Sequence, residues 1–592
     1  MAKWSLKRTK VNIEKMAEAL FISPVMAAIL ANRGIGTLKG GRRFIDCKRD
    51  DMYDPYLFKD MDKGIKIISE AVRTGKKIAV YGDYDVDGVM SITILFKALS
   101  ELGADVIYYV PHRQKEGYGL NIDAVKRLKA DGVDVLLTCD NGIAAIDEIK
   151  EAKALGMEVV VIDHHEPPFT VDDDGERQEI LPDADAIIDH KVRGCTYPYK
   201  NLCAAAISYK FSCALYKAMK KKLSFEDELL VFAAIATVCD IVELLDENRI
   251  IVKNGLEIIN NGVKNAGLRA IISSAGLNVE DISEYHFGFV IGPAINSTGR
   301  LESARMAIEL FKEEDFKKAL EIADELVMLN IKRKDLTIKA ADEITADISA
   351  GIYGDDKVLV IYKEGIHESV AGIVASRVKE KFNRPVIVIT DGEGYAKGSA
   401  RSIEGYNIFE ELNKERELFV KFGGHAMAAG LSLEKGNIPV LRERLNSDCP
   451  LSEDMLIKTI RVERILDFRH IDISLARDIK TISPFGKGNP KPVFASLDVT
   501  AEKVELIGKN KNILKFTLKD DSCDKRFIAV SFDGYENYLS DIKHLYGNNV
   551  CCKILNGGGV SHPMDVVYSI DINKFNHRET VQLIVQDIRL KK

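Results

Sequence analysis

The sequence predicts an α/β protein whose parallel sheet is followed by long helices, a smaller α/β domain and a C-terminal β-barrel. In the first half, short apolar runs alternate with helical stretches, as in parallel sheets. These runs cover residues 76–82, 104–111, 133–139 and 157–162. Residues 300–350 contain neither Gly nor Pro, which favours long helices. Beyond residue 455, short strands with polar turns indicate an oligonucleotide-binding (OB-like) barrel of about five strands.

These changes of pattern divide the chain into five predicted parts. They are a helical appendage (1–70), a first α/β domain (71–300), a helical connector (301–350), a second α/β domain (351–455) and the barrel (456–592). Among the strands predicted for the barrel is the segment NVCCKILN, residues 549–556. A stretch at 224–262 is apolar and helical, and it contains Asp240.

The composition is that of an ordinary globular protein, with 46% hydrophobic and 29% charged residues. The net charge of −7 excludes a uniformly basic polymer-binding protein. None of the ten cysteines forms a Cys-x-x-Cys pair, so we expect free thiols in a reducing cytoplasm and no zinc ribbon. The longest apolar run has 11 residues, whereas a membrane span needs about 20. We therefore expect a cytoplasmic protein without a membrane anchor.

Acidic side chains follow three of the predicted parallel strands. They lie in the segments GDYDVDG (Asp83, Asp85, Asp87), TCDNG (Asp140, Asn141) and IDHHE (Asp163, His164, His165). Because ligands of parallel sheets bind outside the carboxyl ends of the strands, these side chains are expected to converge. Clustered carboxylates repel each other unless a cation neutralises them. The sequence therefore predicts a metal site at this edge of the sheet.

Carboxylate oxygens with imidazole suit Mn²⁺ or Mg²⁺ better than thiolate-preferring metals. Asp240, in an apolar stretch, is a further candidate ligand because a buried carboxylate needs a partner. Two ions about 4 Å apart would suit phosphoester hydrolysis, with Asp140 as the bridging ligand.

Each acid also has a simpler interpretation. An Asp after a strand often caps a helix, and His-His pairs often have no role beyond packing or solvation. DxDxDG could begin a calcium loop, but Ile94 occupies the position of that loop's final acid. The joint occurrence of four acidic sites at matching places favours the metal site.

Four of these segments resemble motifs of a known family. GDYDVDG, TCDNG, DHH and ATVCD are similar to the four motifs of the DHH phosphoesterases, and GGHAMAAG (423–430) resembles the signature of their DHHA1 domain. Several further segments are similar to the RecJ-type single-stranded-DNA-specific exonucleases. They are PHRQKEGYGL, NSTGR, AGIVASR, KGSARS and SPFGKGNPKPVF. The resemblance extends over about residues 70–592.

The resemblance implies a 5′-to-3′ exonuclease that hydrolyses single-stranded DNA to mononucleotides with two Mn²⁺ or Mg²⁺ ions, in DNA repair and recombination. The positions that match the metal-binding motifs are Asp83, Asp85, Asp87, Asp140, His164 and Asp240. The implied catalytic residues are Asp140, Asp163, His164 and His165. Of these, His165 is assigned to phosphate contact or transition-state stabilisation, and Asp163 is either a ligand or the group that orients a histidine.

An exonuclease that starts from a 5′ end must recognise the terminal phosphate, for which Arg side chains, hydroxyls and backbone N–H groups are suited. The predicted substrate-binding residues are Arg113, Asn296, Arg300, Ser399, Arg401, Gly423, Gly424 and His425. The barrel would bind the strand further along. A helicase and a single-stranded-DNA-binding protein are the expected partners of a protein expected to be a monomer.

The sequence departs from the family pattern at Ala204 and Ala206 of LCAAAIS, and at Ala294, where an Arg is common. We expect these positions to lie along the substrate path rather than near the metals. Two other functions compete with the exonuclease: a nanoRNase, nucleotide phosphatase or cyclic-dinucleotide hydrolase of the same superfamily, and a non-catalytic replication scaffold. The C-terminal barrel argues against the first class, and the intact acidic motifs argue against the scaffold.

Overall fold

A computed structural model describes residues 2–112, 116–117, 119–171, 176–556, 561–576 and 578–591. Arg113, one of the predicted substrate-binding residues, lies outside them. The chain forms two units: residues 47–452 make up one, and residues 1–46 together with 453–592 make up the other. The five-part division predicted above remains a proposal. None of the described helices is long and apolar enough to cross a membrane.

The described residues form strands β1–β20 and helices α1–α22, which alternate in the first part of the chain. The strands are β1 (Lys3–Leu6), β2 (Ile78–Tyr81), β3 (Val106–Tyr109), β4 (Val135–Cys139), β5 (Glu158–Ile162), β6 (Phe169–Val171), β7 (Arg177–Glu179), β8 (Ala186–Ile188), β9 (Leu359–Tyr362), β10 (Val386–Thr390), β11 (Ala396–Arg401), β12 (Phe419–His425), β13 (Ala428–Leu433), β14 (Thr459–Val462), β15 (Arg464–Ile465), β16 (Phe494–Ile507), β17 (Ile513–Asp520), β18 (Lys525–Ser531), β19 (His562–Phe575) and β20 (Arg578–Leu590). The helices are α1 (Ile13–Leu20), α2 (Pro24–Asn32), α3 (Leu38–Asp46), α4 (Met61–Thr74), α5 (Val86–Glu101), α6 (Ile122–Ala130), α7 (Ile146–Ala154), α8 (Ala204–Ala218), α9 (Glu226–Cys239), α10 (Asp246–Asn260), α11 (Ala266–Ser274), α12 (Glu284–His286), α13 (Gly292–Leu301), α14 (Arg305–Lys312), α15 (Phe316–Ser349), α16 (Glu368–Phe382), α17 (Ile408–Lys414), α18 (Ile438–Ser447), α19 (Glu453–Leu456), α20 (Ile473–Thr481), α21 (Tyr535–Tyr546) and α22 (Asn548–Leu555).

The first sheet is parallel, with strand order β3-β2-β4-β5-β8. Its strands are continuous apolar runs because both faces are covered. In β2, Ile78 and Val80 pack into one apolar cluster, whereas Ala79 and Tyr81 pack into another on the opposite face. The four apolar runs identified in the sequence all form strands of this sheet, which confirms the predicted fold class for this region.

Long helices follow, as the absence of Gly and Pro predicts, and α15 alone has 34 residues. The second sheet has the order β12-β13-β11-β10-β9. β9 and β10 are parallel, whereas β10, β11, β13 and β12 pair antiparallel. Helix α16 packs on β10 and β11. This second α/β region belongs to the same unit as the first sheet.

The C-terminal strands form the predicted barrel. The order β16-β17-β18-β20-β19 closes through a pairing of β16 with β19. The prediction of a strand at residues 549–556 is wrong, because this segment belongs to helix α22. Its buried residues Cys551 and Ile554 are three apart, which is a helical rather than an alternating spacing. The sequence patterns did not predict the final strand, β20.

Candidate active site

The carboxyl ends of three neighbouring strands meet at one edge of the parallel sheet. β4 is the central strand and lies between β2 and β5. Asp83 follows β2, Asp140 follows β4 and Asp163 follows β5, and all three side chains are buried. Asp140 has a left-handed backbone with a φ of 60°, which Asp adopts more readily than most residues. The topology therefore concentrates negative charge at a single place.

The loop after β2 places its acids through helix α5. Asp85 caps this helix, because its side chain accepts hydrogen bonds from the backbone N–H groups of Asp87 (2.9 Å) and Gly88 (3.1 Å). The capping interpretation is thus correct for Asp85, although its carboxylate also lies near Asp83 and Asp140. Gly88 allows the helix to approach the loop, since a Cβ there would lie 2.4 Å from the carbonyl oxygen of Asp83.

Asp87 is held by a distant helix. Its two carboxylate oxygens accept hydrogen bonds of 2.8 Å from the backbone N–H groups of Ala204 and Ala205, at the start of α8. Burial and the neighbouring Asp85 raise the pKa of Asp87 to about 6. The LCAAAIS segment, which we expected along the substrate path, therefore contacts a candidate metal ligand. The contact uses backbone groups, so a Gly-to-Ala difference leaves the hydrogen bonds available.

His164 lies at the centre of the acidic residues. Its Nε2 is 3.2 Å from Oδ1 of Asp140 and 3.5 Å from Oδ2 of Asp87, and its Nδ1 is 3.8 Å from Oδ2 of Asp240. Asp240 ends helix α9 rather than lying within it, and about a quarter of its side chain is exposed. Burial and the charged His165 lower the pKa of His164 to about 3, so its imidazole is neutral and suited to bind a metal.

The donor atoms fit a divalent cation. Three groups at this edge of the sheet each have ligand atoms within 4.8 Å of one another: Asp83, Asp85 and Asp140; Asp87, His164 and Asp240; and Asp140, His164 and His165. Burial and the surrounding carboxylates raise the pKa of Asp140 well above its usual value and that of Asp240 to about 8. A cation would offset the repulsion among these carboxylates. Carboxylate oxygens together with a neutral imidazole nitrogen are suitable ligands for Mn²⁺ or Mg²⁺. All six residues predicted as metal ligands are in these groups.

Asp163 is not in these groups and instead orients the two histidines. Its Oδ1 accepts hydrogen bonds from the backbone N–H groups of His164 (2.7 Å) and His165 (3.2 Å) and lies 2.7 Å from Nδ1 of His165, while its Oδ2 accepts one from Ile143 N–H (2.9 Å). Burial opposes ionisation of Asp163, but these bonds outweigh it and lower its pKa to about 2. Burial lowers the pKa of His165, but the hydrogen bond to Asp163 raises it to about 9. His165 is therefore a cation at neutral pH.

Sequence reasoning missed a further Asp-His pair at the same sheet edge. Asp189 and His190 follow β8, and both side chains are buried. Burial and the nearby Asp163 raise the pKa of Asp189 to about 8. The signal was present in the segment AIIDH, which repeats the strand-Asp-His pattern of VIDHH.

Five of the predicted substrate-binding residues lie on adjacent strands of the second sheet. β13 separates β11 from β12, so Ser399 and Gly423 both pair with Gly430, and Arg401 and His425 both pair with Ala428. Gly424 is next to His425 on β12, and the three β12 residues are exposed. The structure therefore brings Ser399, Arg401, Gly423, Gly424 and His425 together on three adjoining strands.

Helices α13 and α16 connect these strands with the acidic loop. Asn296 and Arg300 are on α13, and the Arg300 guanidinium donates a hydrogen bond of 2.5 Å to the carbonyl oxygen of Ser369 on α16. One turn later, a Cβ on Gly372 would lie 2.8 Å from Arg401 Nη2 and from Ser399 Oγ. On α13, Gly299 lies against the carbonyl oxygen of Tyr84. Arg300 and Arg401 thus approach the first turns of the same helix.

Three protein-family models match the chain. The DHH family N-terminal domain matches residues 77–237, the DHHA1 domain matches residues 355–449, and the RecJ OB domain matches residues 462–587. These regions contain the parallel sheet, the second sheet and the barrel, respectively. The order of the three domains is the one predicted from the sequence.

Curated proteins match along nearly the whole chain, and solved structures match all or two thirds of it. The single-stranded-DNA-specific exonuclease RecJ of Bacillus subtilis is 36% identical over 591 residues, which is 99% of this chain and 70% of that protein. RecJ of Haemophilus influenzae is 31% identical, over 92% of this chain and 93% of that protein. The crystal structure of Thermus thermophilus RecJ with Mn²⁺ shares the fold, with a TM-score of 0.81 and 23% identity over 100% of this chain and 80% of that one. A manganese-bound exonuclease RecJ has a TM-score of 0.57 and 29% identity over 67% of this chain and 96% of that one. From these motifs, this domain order and these similarities, we conclude that the chain belongs to the RecJ family of single-stranded-DNA-specific exonucleases.

Proposed function

We propose that this protein is a metal-dependent exonuclease that degrades single-stranded DNA from the 5′ end and releases 5′-mononucleotides, in DNA repair and recombination. The observation that carries the proposal is the convergence of Asp83, Asp85, Asp87, Asp140, His164 and Asp240 at one sheet edge. Relatives named as single-stranded-DNA-specific exonucleases support the choice of substrate.

In this proposal, two divalent cations would be held by Asp83, Asp85, Asp87, Asp140, His164 and Asp240. Asp140 is proposed as the shared ligand because its carboxylate lies close both to Asp83 and Asp85 and to His164. Bound there, Mn²⁺ or Mg²⁺ would supply positive charge for the phosphate oxygens and would lower the pKa of the attacking water. The hydrogen bonds from α8 to Asp87 and from α5 to Asp85 fix both carboxylates before any ion arrives. Such fixed ligands favour the geometry that in-line attack requires.

In addition to the metal ions, the protein itself would bring a positive charge to the phosphate, on the side chain of His165. Because its pKa is about 9, it remains protonated at neutral pH, and 41% of its side chain is exposed. A cation in that position can donate a hydrogen bond to the phosphate as negative charge develops on it. Asp163 acts through His165, because it sets both its charge and its orientation.

The proposed polarity depends on recognition of the 5′ phosphate by Ser399, Arg401, Gly423, Gly424 and His425, with Asn296 and Arg300 on the approach from the acidic loop. Burial lowers the pKa of Arg401, and a bound phosphate would favour its charged form. Its Nη1 donates to Ser399 Oγ at 3.1 Å and to the carbonyl oxygen of Ala400 at 2.7 Å. Arg113 is proposed for the same role from its motif alone. The barrel is proposed to hold the strand further from the cut.

The test compares Asp140→Ala with Asp335→Ala, an exposed control on α15. Single strands labelled at either end are incubated with Mn²⁺, Mg²⁺ or a chelator. We expect mononucleotides from the 5′ end for the parent and the control, and loss of cleavage with retained strand binding for Asp140→Ala. Turnover by Asp140→Ala in Mn²⁺ contradicts the site, whereas release from the 3′ end contradicts the polarity. Faster cleavage of dinucleotides than of long strands would instead favour a nanoRNase.

A further inference from the structure

The N-terminal segment differs sharply in charge from the rest of the protein. Residues 1–46 contain nine Lys or Arg and only three Asp or Glu, whereas residues 47–452 contain 52 and 68, respectively. Crowded like charges destabilise a folded segment unless an anion opposes them. Of the three matching family models, the one nearest the N-terminus begins at residue 77, so none of them covers this segment.

The segment is anchored firmly to the barrel unit. Arg33 is buried and donates hydrogen bonds of 2.5 Å to both Asn489 Oδ1 and the carbonyl oxygen of Pro490. Glu463, also buried, pairs with Arg33 and with Lys7. In addition, β1 pairs with β14 in parallel register. The backbone that carries the outward-facing cations of this segment is therefore held in place within the barrel unit.

Helix α3 has one packed face and one cationic face. A Cβ on Gly41 would lie 2.6 Å from Leu20 Cδ1, so this side of α3 lies against α1. Phe44, three residues on, is buried on the same side. Lys39 and Arg42 are also three apart but point away from α1, and both are exposed.

A second pair of cations belongs to the segment that contacts the loop before this helix. A Cβ on Gly36 would lie 3.1 Å from Val11 Cγ2, so the loop before α3 rests on the segment after β1. That segment carries the exposed Arg8 and Lys10. In the described part of the chain, none of Arg8, Lys10, Lys39 and Arg42 forms an ion pair, in contrast to Lys7 and Arg33.

We infer that Arg8, Lys10, Lys39 and Arg42, here called the N-terminal cationic face, form a binding site for the sugar–phosphate backbone of DNA. The exposed cations are flexible side chains without a buried base-reading pocket, so the contact is independent of sequence. The inference goes beyond the proposed cleavage activity, because it concerns where the protein holds DNA rather than where it cuts.

The test measures binding by fluorescence anisotropy as a function of salt, with chelator present so that cleavage plays no part. The variant replaces Arg8, Lys10, Lys39 and Arg42 by Gln. The matched control replaces four exposed, scattered lysines of the other unit by Gln and changes the net charge equally; they are Lys66, Lys150, Lys317 and Lys381. The probes are a 40-nucleotide single strand and a duplex of the same length.

Each phosphate contact adds about 0.7 to the slope of log affinity against log salt for a single strand and about 0.9 for a duplex. Four contacts therefore correspond to a slope change of about 3 and to an affinity loss of roughly 200-fold at 0.15 M salt for a single strand. We expect this loss for the variant and little change for the control. The probe that shows the larger loss identifies the form of DNA bound.

An unchanged slope for both probes, or an equal change in the control, overturns the inference. A double charge reversal, Lys39→Glu with Arg42→Glu, gives a second measurement if the fourfold variant unfolds; retained affinity there also overturns it. Because cleavage is not measured, a failure of the proposed exonuclease activity would leave this result unaffected.

Discussion

Replacing Asp240 by Asn should stabilise the metal-free protein and remove most of the stabilisation that a bound metal gives. Burial, Asp87 and Asp85 raise the pKa of Asp240 to about 8. A folded-state pKa above the unfolded value means that the folded protein binds the proton more tightly. Stability from this group is therefore fully present below about pH 4 and is lost as the pH rises towards 8. Asn cannot ionise, so the variant avoids this loss.

The size of the effect follows from the pKa difference. An isolated carboxyl shifted from its usual value to about 8 would cost the fold about 4 kcal/mol at pH 7. Because Asp87 contributes to the shift and its own pKa is raised by the same cluster of charges, the two carboxyls titrate together, and we expect about half of that cost, ~2 kcal/mol. For a unit of this size, that corresponds to about 2 to 4 °C in Tm.

The assay is thermal unfolding in chelator at pH 5, 7 and 8, with and without MnCl₂. In chelator, Asp240→Asn should exceed the parent in Tm by an amount that grows from pH 5 to pH 8. With Mn²⁺ at about 100 times its Kd, the parent should gain about 2.7 kcal/mol and the variant much less. The control Glu257→Gln, exposed on α10, should match the parent. A variant that is less stable than the parent at pH 8 in chelator would refute this reasoning.

Three further perturbations test other parts of the protein. Arg401→Gln should slow the degradation of 5′-phosphorylated strands more than that of 5′-hydroxyl strands, because the guanidinium is proposed to bind the terminal phosphate; equal slowing removes it from that role. Asp163→Asn should return the pKa of His165 from about 9 towards 6.5. The kcat/KM of the variant relative to that of the parent should therefore decrease as the pH rises from 6 to 8.5, and an unchanged pH profile contradicts the assignment. Lys210→Met should cost about 3 to 5 kcal/mol in chemical denaturation, because it leaves buried Glu247 without its ion pair of 2.5 Å. Adding Glu247→Gln should restore part of that stability, and no restoration contradicts the explanation.

Local sequence patterns were sufficient to predict most elements of the fold. The runs that became β2, β4 and β5 were recognisable because strands buried on both faces are continuously apolar. Their order in the chain also predicted that Asp83, Asp140 and Asp163 would share one edge. The same approach failed at residues 549–556, where a short apolar run fits a strand or a helix equally well until its packing is known.

The adjacent residues His164 and His165 illustrate what sequence alone could not provide. Both were predicted to belong to the site, yet burial lowers the pKa of one to about 3 while a hydrogen bond to Asp163 raises that of the other to about 9. A residue type and its position in a motif do not specify how deeply it is buried or which partner it meets. These properties depend on packing between segments far apart in the chain.

The amino-acid sequence by itself determined which side chains could hold a cation and on which edge of the sheet they would appear. This was possible because the succession of strands along the chain and the residues that follow each strand can be read from short stretches of sequence. Only the tertiary structure decided that Asp87 is fixed by the start of α8, 117 residues away, and that Glu463 joins the N-terminal segment to the barrel unit. Both contacts connect segments that are far apart in the chain. Their existence depends on the folded path of the backbone, which no short stretch of sequence encodes.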